Sequence, residues 1–145
     1  ADGSLGGHTA AMHAPFSDRP DERGTMRLDA SDRELARTAL AMGGMVAIHA
    51  IGDRANGAVI DLFEELIAEG ASPRKLRIEH ASVLDRSDIE RMARLGVIPV
   101  PQARFISEIG DGMLAAIGEQ YIVDQIENFR NGNRNHPIMS PWAKN

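Results

Sequence analysis

The sequence predicts an α/β fold in which parallel strands alternate with helices. The first observation is a continuous apolar run at 45–48, which is typical of a strand buried on both faces. The second is that amphipathic stretches separate this run from two further strand candidates, at 76–80 and 97–101. Because strands that alternate with helices are joined by right-handed crossovers, we expect the three strands to be parallel and adjacent.

The composition limits the classes of partner and of metal site. The chain has 145 residues, a formal net charge of −5 and no cysteine. Nucleic acid and anionic membranes attract basic patches, so neither is an expected partner. Without thiolates, a transition-metal site must use His, Asp or Glu. No apolar run approaches the ~20 residues of a membrane span. We expect a cytoplasmic protein and, since the chain opens without Met, a piece of a longer polypeptide.

The first 30 residues are expected to form a long ordered loop, because Gly, Pro and Asp recur along them. In a compact domain, a loop of this length is usually functional. The first helix is expected at 31–42, where Ser31 and Glu34 have the spacing of a capping box. Gly43 ends this helix, and the first strand follows.

Two further helices are expected between the strands. The second begins after Gly52, with Asp53 as its N-cap, and ends before Gly70. The third opens near Asp85 and stops at Gly96. Beyond residue 101 the pattern weakens, and we expect helices at 113–117 and 120–129, a turn at 131–133 and a last strand from 137.

Two histidines occupy equivalent places in this pattern. His49 closes the first predicted strand and His80 closes the second. Neighbouring parallel strands lie ~4.8 Å apart, so side chains from the two strand ends can share one metal or two neighbouring metals. Hydrogen-bonded core histidines are the alternative, and the spacing alone leaves both interpretations open.

Four short motifs carry a family resemblance. Residues 49–55 read HAIGDRA and residues 77–81 read RIEHA, in that order. Residues 2–6 read DGSLG, and residues 96–102 read GVIPVPQ. Together they resemble amidohydrolase family 3, a family of metal-dependent hydrolases in the amidohydrolase superfamily. The resemblance runs in order over nearly the whole chain and is thin after Gln102.

The resemblance implies a (β/α)8 TIM-type barrel, of which this chain holds about strands 5 to 7 or 8 with their helices. Residues 1–30 then form the active-site loop after strand 4, residues 31–102 the β/α units, and residues 103–145 the C-terminal helices and last strand. In the family, the metal ligands are a His-x-His pair from strand 1, a lysine from strand 4, one histidine each from strands 5 and 6, and an Asp from strand 8. His49 matches the strand-5 ligand and His80 the strand-6 ligand.

The other ligands of that set are absent or in doubt. The chain contains neither the strand-1 pair nor the strand-4 lysine. Where family members often read Ser-Asp-Trp-Pro, residues 140–143 read Ser-Pro-Trp-Ala. Either the alignment is shifted here, or Pro141 stands where the Asp accepts a proton from metal-bound water, which proline cannot do. We therefore expect the isolated chain to be inactive and to bind metal weakly or not at all.

The reaction implied for the intact enzyme is hydrolysis of C–N bonds, of the amide type and other than peptide bonds. A divalent metal, expected to be zinc, lowers the pKa of its bound water from about 15.7 towards about 7 and so supplies the nucleophile. The implied partners are a small-molecule amide substrate and the remainder of the barrel. Two alternatives stay open: a non-catalytic binding or assembly module derived from the same barrel, and a doubly wound domain with an unrelated ligand.

Further polar residues are weighed against simpler roles. His8 in the opening loop and Gln102 after the third strand are candidate substrate contacts, although a solvated loop histidine is the simpler reading of His8. Asp53 is explained by its capping role. Glu79 is expected to point away from His80 and to form a structural ion pair behind the barrel.

The isolated chain is also expected to self-associate. A few parallel strands cut from a barrel leave two open edges, and open edges are templates for pairing with another chain. A two-fold dimer is the simplest closed arrangement. Helices from the segment 113–129 that fold back over the exposed face would instead explain a monomer.

Overall fold

Helices and strands alternate along the chain in the computed structural model, which describes residues 1–102 and 104–118. The three strands form one parallel sheet in the order β1-β2-β3, which confirms the predicted pairing. No helix in this described part is long and apolar enough to cross a bilayer. The elements are α1 (Ala30–Ala41), β1 (Val46–Ala50), α2 (Asp53–Ala68), a 3-10 turn (Pro73–Lys75), β2 (Leu76–His80), α3 (Arg86–Leu95), β3 (Ile98–Pro101) and α4 (Arg104–Ile117).

The C-terminal predictions are only partly open to comparison. Helix α4 begins at Arg104, nine residues before the predicted start at 113. Gly110 and Gly112 interrupt its apolar pattern, which explains why the sequence pointed only to its last turn. The expected helix at 120–129, the turn at 131–133, the strand from 137 and the Pro141 position lie outside the described residues.

The opening loop is held by a small apolar core of its own. An isolated antiparallel bridge joins Phe16 and Arg19, and Ser17 N donates to the carbonyl of Ala116 at 2.8 Å. The loop therefore packs between the strand ends and helix α4. This core consists of Leu5, Ala10, Met12, Phe16, Ile51, Val83, Ala116 and Ile117.

Helix α1 is capped two residues earlier than predicted. The Asp29 carboxylate accepts the backbone N–H groups of Ser31, at 2.7 Å, and Asp32, at 3.1 Å. The Asp32 carboxylate in turn accepts the N–H of Asp29 at 3.1 Å. The predicted box at Ser31 and Glu34 is therefore wrong. Asp29 offers the same three-residue spacing to an acidic side chain, and it stands first in the chain.

Asp53 is not the N-cap of α2, contrary to the prediction. The cap is Gly52, and Asp53 is the first helical residue. The Asp53 carboxylate accepts the N–H of His13 at 2.8 Å and so ties the opening loop to the start of the helix. Gly52 suits the cap position because a Cβ there would lie 2.0 Å from the Ala11 carbonyl oxygen.

Within residues 1–102 and 104–118, the helices cover one face of the sheet and leave the other open. Val46, Leu76 and Ile78 point into a buried core with the apolar side of α2. The alternate position Ala47 is exposed, and Met45, just before the strand, is 56% exposed. The prediction that the apolar run at 45–48 is buried on both faces is therefore wrong for the described residues, since none of them covers the second face.

Glu79 forms an ion pair, but on a different face from the one predicted. The register pairs Glu79 with His49 and Arg77 with Ala47. Paired positions of parallel strands share a face, so Glu79 lies on the open face with His49. Its Oε1 lies 2.6 Å from Arg77 Nε. The ion pair therefore lies on the open face and not behind the sheet among the helices.

Alanine substitutions at two glycines near the start of α2 are expected to change the free energy of unfolding in opposite directions. A Cβ at Gly52 would meet Ala11 backbone atoms at 2.0 Å, whereas the nearest atom to a Cβ at Gly57 is Asp88 Oδ2 at 3.8 Å. We expect Gly52→Ala to lower the free energy of unfolding by about 1–3 kcal/mol through overpacking. Gly57→Ala should raise it by about 0.5–1 kcal/mol, because alanine suits a helix interior better. Urea denaturation measures both, and equal changes in the two variants would contradict the close approach at Gly52.

Candidate metal centre

The structure brings His49 and His80 together at the carboxyl ends of β1 and β2. Their ring centroids are 4.7 Å apart and the ring planes are inclined by 73°. His80 is paired in register with Ala50, so regular strand geometry would send its ring to the other face from His49. The backbone leaves that geometry here, with φ values of +72° at His80 and +41° at Ala81. Such left-handed conformations are strained for non-glycine residues and concentrate at functional sites.

One ring nitrogen of His49 is committed to the opening loop. Its Nε2 lies 2.8 Å from the carbonyl oxygen of Gly3 and 3.3 Å from Asp2 Oδ1. A carbonyl oxygen can only accept a hydrogen bond, so Nε2 carries the proton in the neutral ring. The lone pair is then on Nδ1, which is the nitrogen available to a metal.

One ring nitrogen of His80 is committed in the same way. Its Nδ1 lies 2.8 Å from Gln102 Oε1, and its ring stacks on Phe105 with centroids 5.7 Å apart. With the amide oxygen as acceptor, Nδ1 carries the proton and Nε2 keeps the lone pair. A partner that fixes the tautomer is what metal-binding histidines require. Both histidines therefore suit a metal site.

The two predicted substrate contacts lie in different surroundings. Gln102 contacts His80 itself, an orienting role that the sequence did not indicate. His8 Nε2 lies 2.9 Å from Asp18 Oδ2, and the His8 ring meets Phe16 edge-on at 5.0 Å. His8 is thus held within the opening loop rather than freely solvated. A contact of either residue with substrate stays a prediction.

Asp2 is the residue of this centre that the sequence did not single out. Its carboxylate is buried and accepts three backbone N–H groups, from Ala11 at 2.9 Å, Ile51 at 3.1 Å and Gly52 at 2.8 Å. Two of these donors follow directly after β1. Asp2 therefore fastens the opening loop to the chain that carries His49. Its place in the DGSLG motif was the only signal, and the motif does not reveal which donors it meets.

Asn56 joins the loops that follow β1 and β2. Its side chain is fully buried, and its Nδ2 lies 3.2 Å from Ile51 O, 2.9 Å from Gly52 O and 2.9 Å from Val83 O. Val83 N also donates to Ile51 O at 2.9 Å. These bonds hold the two strand ends, and so the two histidines, at a fixed separation.

The described residues do not form a complete metal site. Among them, no group of three or more His, Cys, Asp and Glu side chains is placed to hold a metal ion. Zinc usually takes at least three protein ligands. His49 and His80 fit two of those positions by their donor atoms and by their held tautomers.

The family of the chain follows from comparison with known proteins. Residues 1–132 match the sequence model described as the amidohydrolase family. The chain belongs to the amidohydrolase family. This confirms the resemblance carried by the HAIGDRA and RIEHA motifs.

Two curated relatives of this amidohydrolase segment are much longer than it is. It is 38% identical over 108 residues to "Putative amidohydrolase YtcJ" of Bacillus subtilis, a match that covers 74% of this chain and 20% of that protein. It is 30% identical over 146 aligned positions to the protein LONG AFTER FAR-RED 3 of Arabidopsis thaliana, covering 97% of this chain and 25% of that protein. The chain thus spans a fifth to a quarter of their length.

Two solved structures share both fold and sequence with the amidohydrolase segment. One is an uncharacterized metal-dependent hydrolase from Pyrococcus horikoshii, with 36% identity, a TM-score of 0.72, and coverage of 83% of this chain and 24% of that one. The other is an uncharacterized metal-dependent hydrolase from Pyrococcus furiosus, with 32% identity, a TM-score of 0.76, and coverage of 97% and 31%. The chain is therefore similar to a segment of these hydrolases.

Proposed function

We propose that this chain supplies two metal ligands, His49 and His80, to a metal-dependent amidohydrolase that hydrolyses C–N bonds of the amide type. One observation carries the proposal. The two rings meet at neighbouring strand ends, and each has one nitrogen engaged by a protein oxygen, Gly3 O for His49 and Gln102 Oε1 for His80. An imidazole with one N–H held by an acceptor presents its other nitrogen as a ligand.

The proposed metal is zinc. A divalent cation at this place would polarise an amide carbonyl and lower the pKa of a coordinated water, which gives a nucleophile at neutral pH. This chain would provide two neutral imidazole nitrogens at a fixed separation. Asn56 and Asp2 keep that separation by tying together the loops around the strand ends.

We propose further that the sheet is part of a (β/α)8 barrel, with β1, β2 and β3 as about its fifth to seventh strands. The three parallel strands lie in the order β1-β2-β3, and the connecting helices lie on one face of the sheet, which supports this proposal. The remainder of the barrel would cover the open face and its Arg77–Glu79 pair. In a preparation of the chain alone, self-association through the same face is the alternative cover.

An assay of the longer protein that contains this chain tests the proposed function. We expect it to hydrolyse members of a panel of N-acyl amino acids and formamides, to lose turnover on dialysis against a chelator, and to regain it with zinc. Turnover that survives removal of metal would overturn the metal-dependent mechanism. Binding of the amides without turnover would favour a non-catalytic module instead.

A further inference from the structure

We propose that Asp2 is a positioning residue for His49: its buried carboxylate fixes both the place and the tautomer of the imidazole. The purpose of this device rests on the proposed function, because a fixed tautomer matters for a metal ligand. The contacts of Asp2 themselves do not depend on the proposed function. Asp2 has no place in the ligand set that the family resemblance implies.

Asp2 holds the chain on both sides of the His49 ring. On one side, its carboxylate accepts the N–H groups of Ile51 and Gly52, which follow His49 by two and three residues. On the other side, the adjacent peptide presents the Gly3 carbonyl to His49 Nε2 at 2.8 Å. A single carboxylate therefore sets the distance between the ring and its hydrogen-bond acceptor.

Close packing restricts the movement of the Gly3 peptide and of the turn after β1. A Cβ at Gly3 would lie 2.0 Å from Thr9 Oγ1, and a Cβ at Gly52 would lie 2.0 Å from Ala11 O. Gly3 N also donates to Thr9 O at 3.2 Å. The Gly3 peptide and the turn after β1 are thus packed against the opening loop, and Asp2 lies buried between them.

The charge of Asp2 favours one tautomer of His49. Its Oδ1 lies 3.3 Å from Nε2, and its side chain is fully buried, so the negative charge is poorly screened. A carboxylate has no hydrogen to donate, and neither has the Gly3 carbonyl. Both neighbours of Nε2 are therefore acceptors. Together they hold the proton on Nε2 and leave the lone pair on Nδ1.

The substitution Asp2→Asn separates positioning from simple packing, because it preserves size and removes one acceptor oxygen. Oδ2 serves two donors, Ala11 N and Gly52 N, so the amide oxygen is expected to keep that place. The NH2 group then replaces Oδ1, so the Ile51 N–H loses its acceptor and a donor lies beside His49 Nε2. This donor competes with the Gly3 carbonyl at Nε2, and the tautomer with the proton on Nδ1 gains population.

The experiment is long-range ¹H–¹⁵N correlation NMR on metal-free protein labelled with ¹⁵N-histidine, at a pH about two units above the ordinary imidazole pKa of ~6.5. In the unmodified protein, His49 should have its proton on Nε2. In Asp2→Asn, the ratio of that tautomer to the other should fall by about tenfold or more. If Asp2→Asn does not fold, the unmodified protein still decides, since a proton on Nδ1 of His49 overturns the proposal.

A control variant excludes a general effect of substitution. Asp18→Asn makes the same change beside Nε2 of His8, where the carboxylate lies 2.9 Å away, and should leave His49 unchanged. An unaltered tautomer in Asp2→Asn, or the same shift of the His49 tautomer in Asp18→Asn, would overturn the proposal. Because no metal or substrate is present, these outcomes are independent of whether the protein hydrolyses amides.

Discussion

Replacing Asp2 by alanine is expected to lower the free energy of unfolding by about 3 kcal/mol or more. Three backbone N–H groups, of Ala11, Ile51 and Gly52, lose their shared acceptor. Each buried donor left without a partner costs roughly 1–3 kcal/mol. Urea denaturation followed by circular dichroism measures the change through the midpoint and slope.

Asp18→Ala is the matched control for this loss. Asp18 pairs with His8 in the same loop, but its side chain is 37% exposed, so its removal should cost less than about 1 kcal/mol. A similar loss of unfolding free energy in the two variants would mean that the hydrogen bonds accepted by Asp2 stabilise the protein no more than the Asp18–His8 pair does. A loss below about 1 kcal/mol in Asp2→Ala alone would contradict the hydrogen-bond network drawn for the opening loop.

His49→Ala and His80→Ala are each expected to lower metal-dependent turnover of the longer protein by about 1000-fold or more. A catalytic metal contributes several kcal/mol of transition-state stabilisation, and each 1.36 kcal/mol is a factor of ten in rate. The measurement is kcat/KM for an accepted amide at saturating zinc.

His13→Ala is the control for the histidine variants. Its side chain is exposed, and its contact with Asp53 uses the backbone N–H, which alanine keeps. Its turnover should stay within about twofold of the unmodified protein, which is within the scatter of a surface substitution. Full activity in either His49→Ala or His80→Ala would remove that residue from the metal centre.

The order of the elements and the position of the two histidines at neighbouring strand ends could be predicted from local pattern. Apolar runs, helical spacing and glycine stops act over a few residues, and Gly96 stops α3 with φ of +73° as predicted. His49 and His80 follow from the same logic. The last residues of a strand lie at its carboxyl end, and neighbouring parallel strands have their carboxyl ends at the same end of the sheet.

The rest of the centre depends on contacts between distant parts of the chain. Asp2 and Gly52 are separated by 50 residues, and nothing near either one indicates that a carboxylate meets an N–H group there. Gln102 reaches His80 across 22 residues, and the approach of the His80 ring depends on a left-handed backbone that no propensity predicts. The predicted capping box at Ser31 is wrong for a local reason, because Asp29 lies two residues earlier and caps the same helix.

We propose that His49 and His80 bind metal at one site, through Nδ1 and Nε2 respectively. Anomalous diffraction at the zinc absorption edge, from crystals of the longer protein grown with zinc, tests it most directly. We expect anomalous density about 2.0–2.1 Å from His49 Nδ1 and from His80 Nε2, at one zinc ion or at two neighbouring ones. Anomalous density bonded to His49 Nε2, or none within reach of either ring in a protein that turns over amides with zinc, would contradict it.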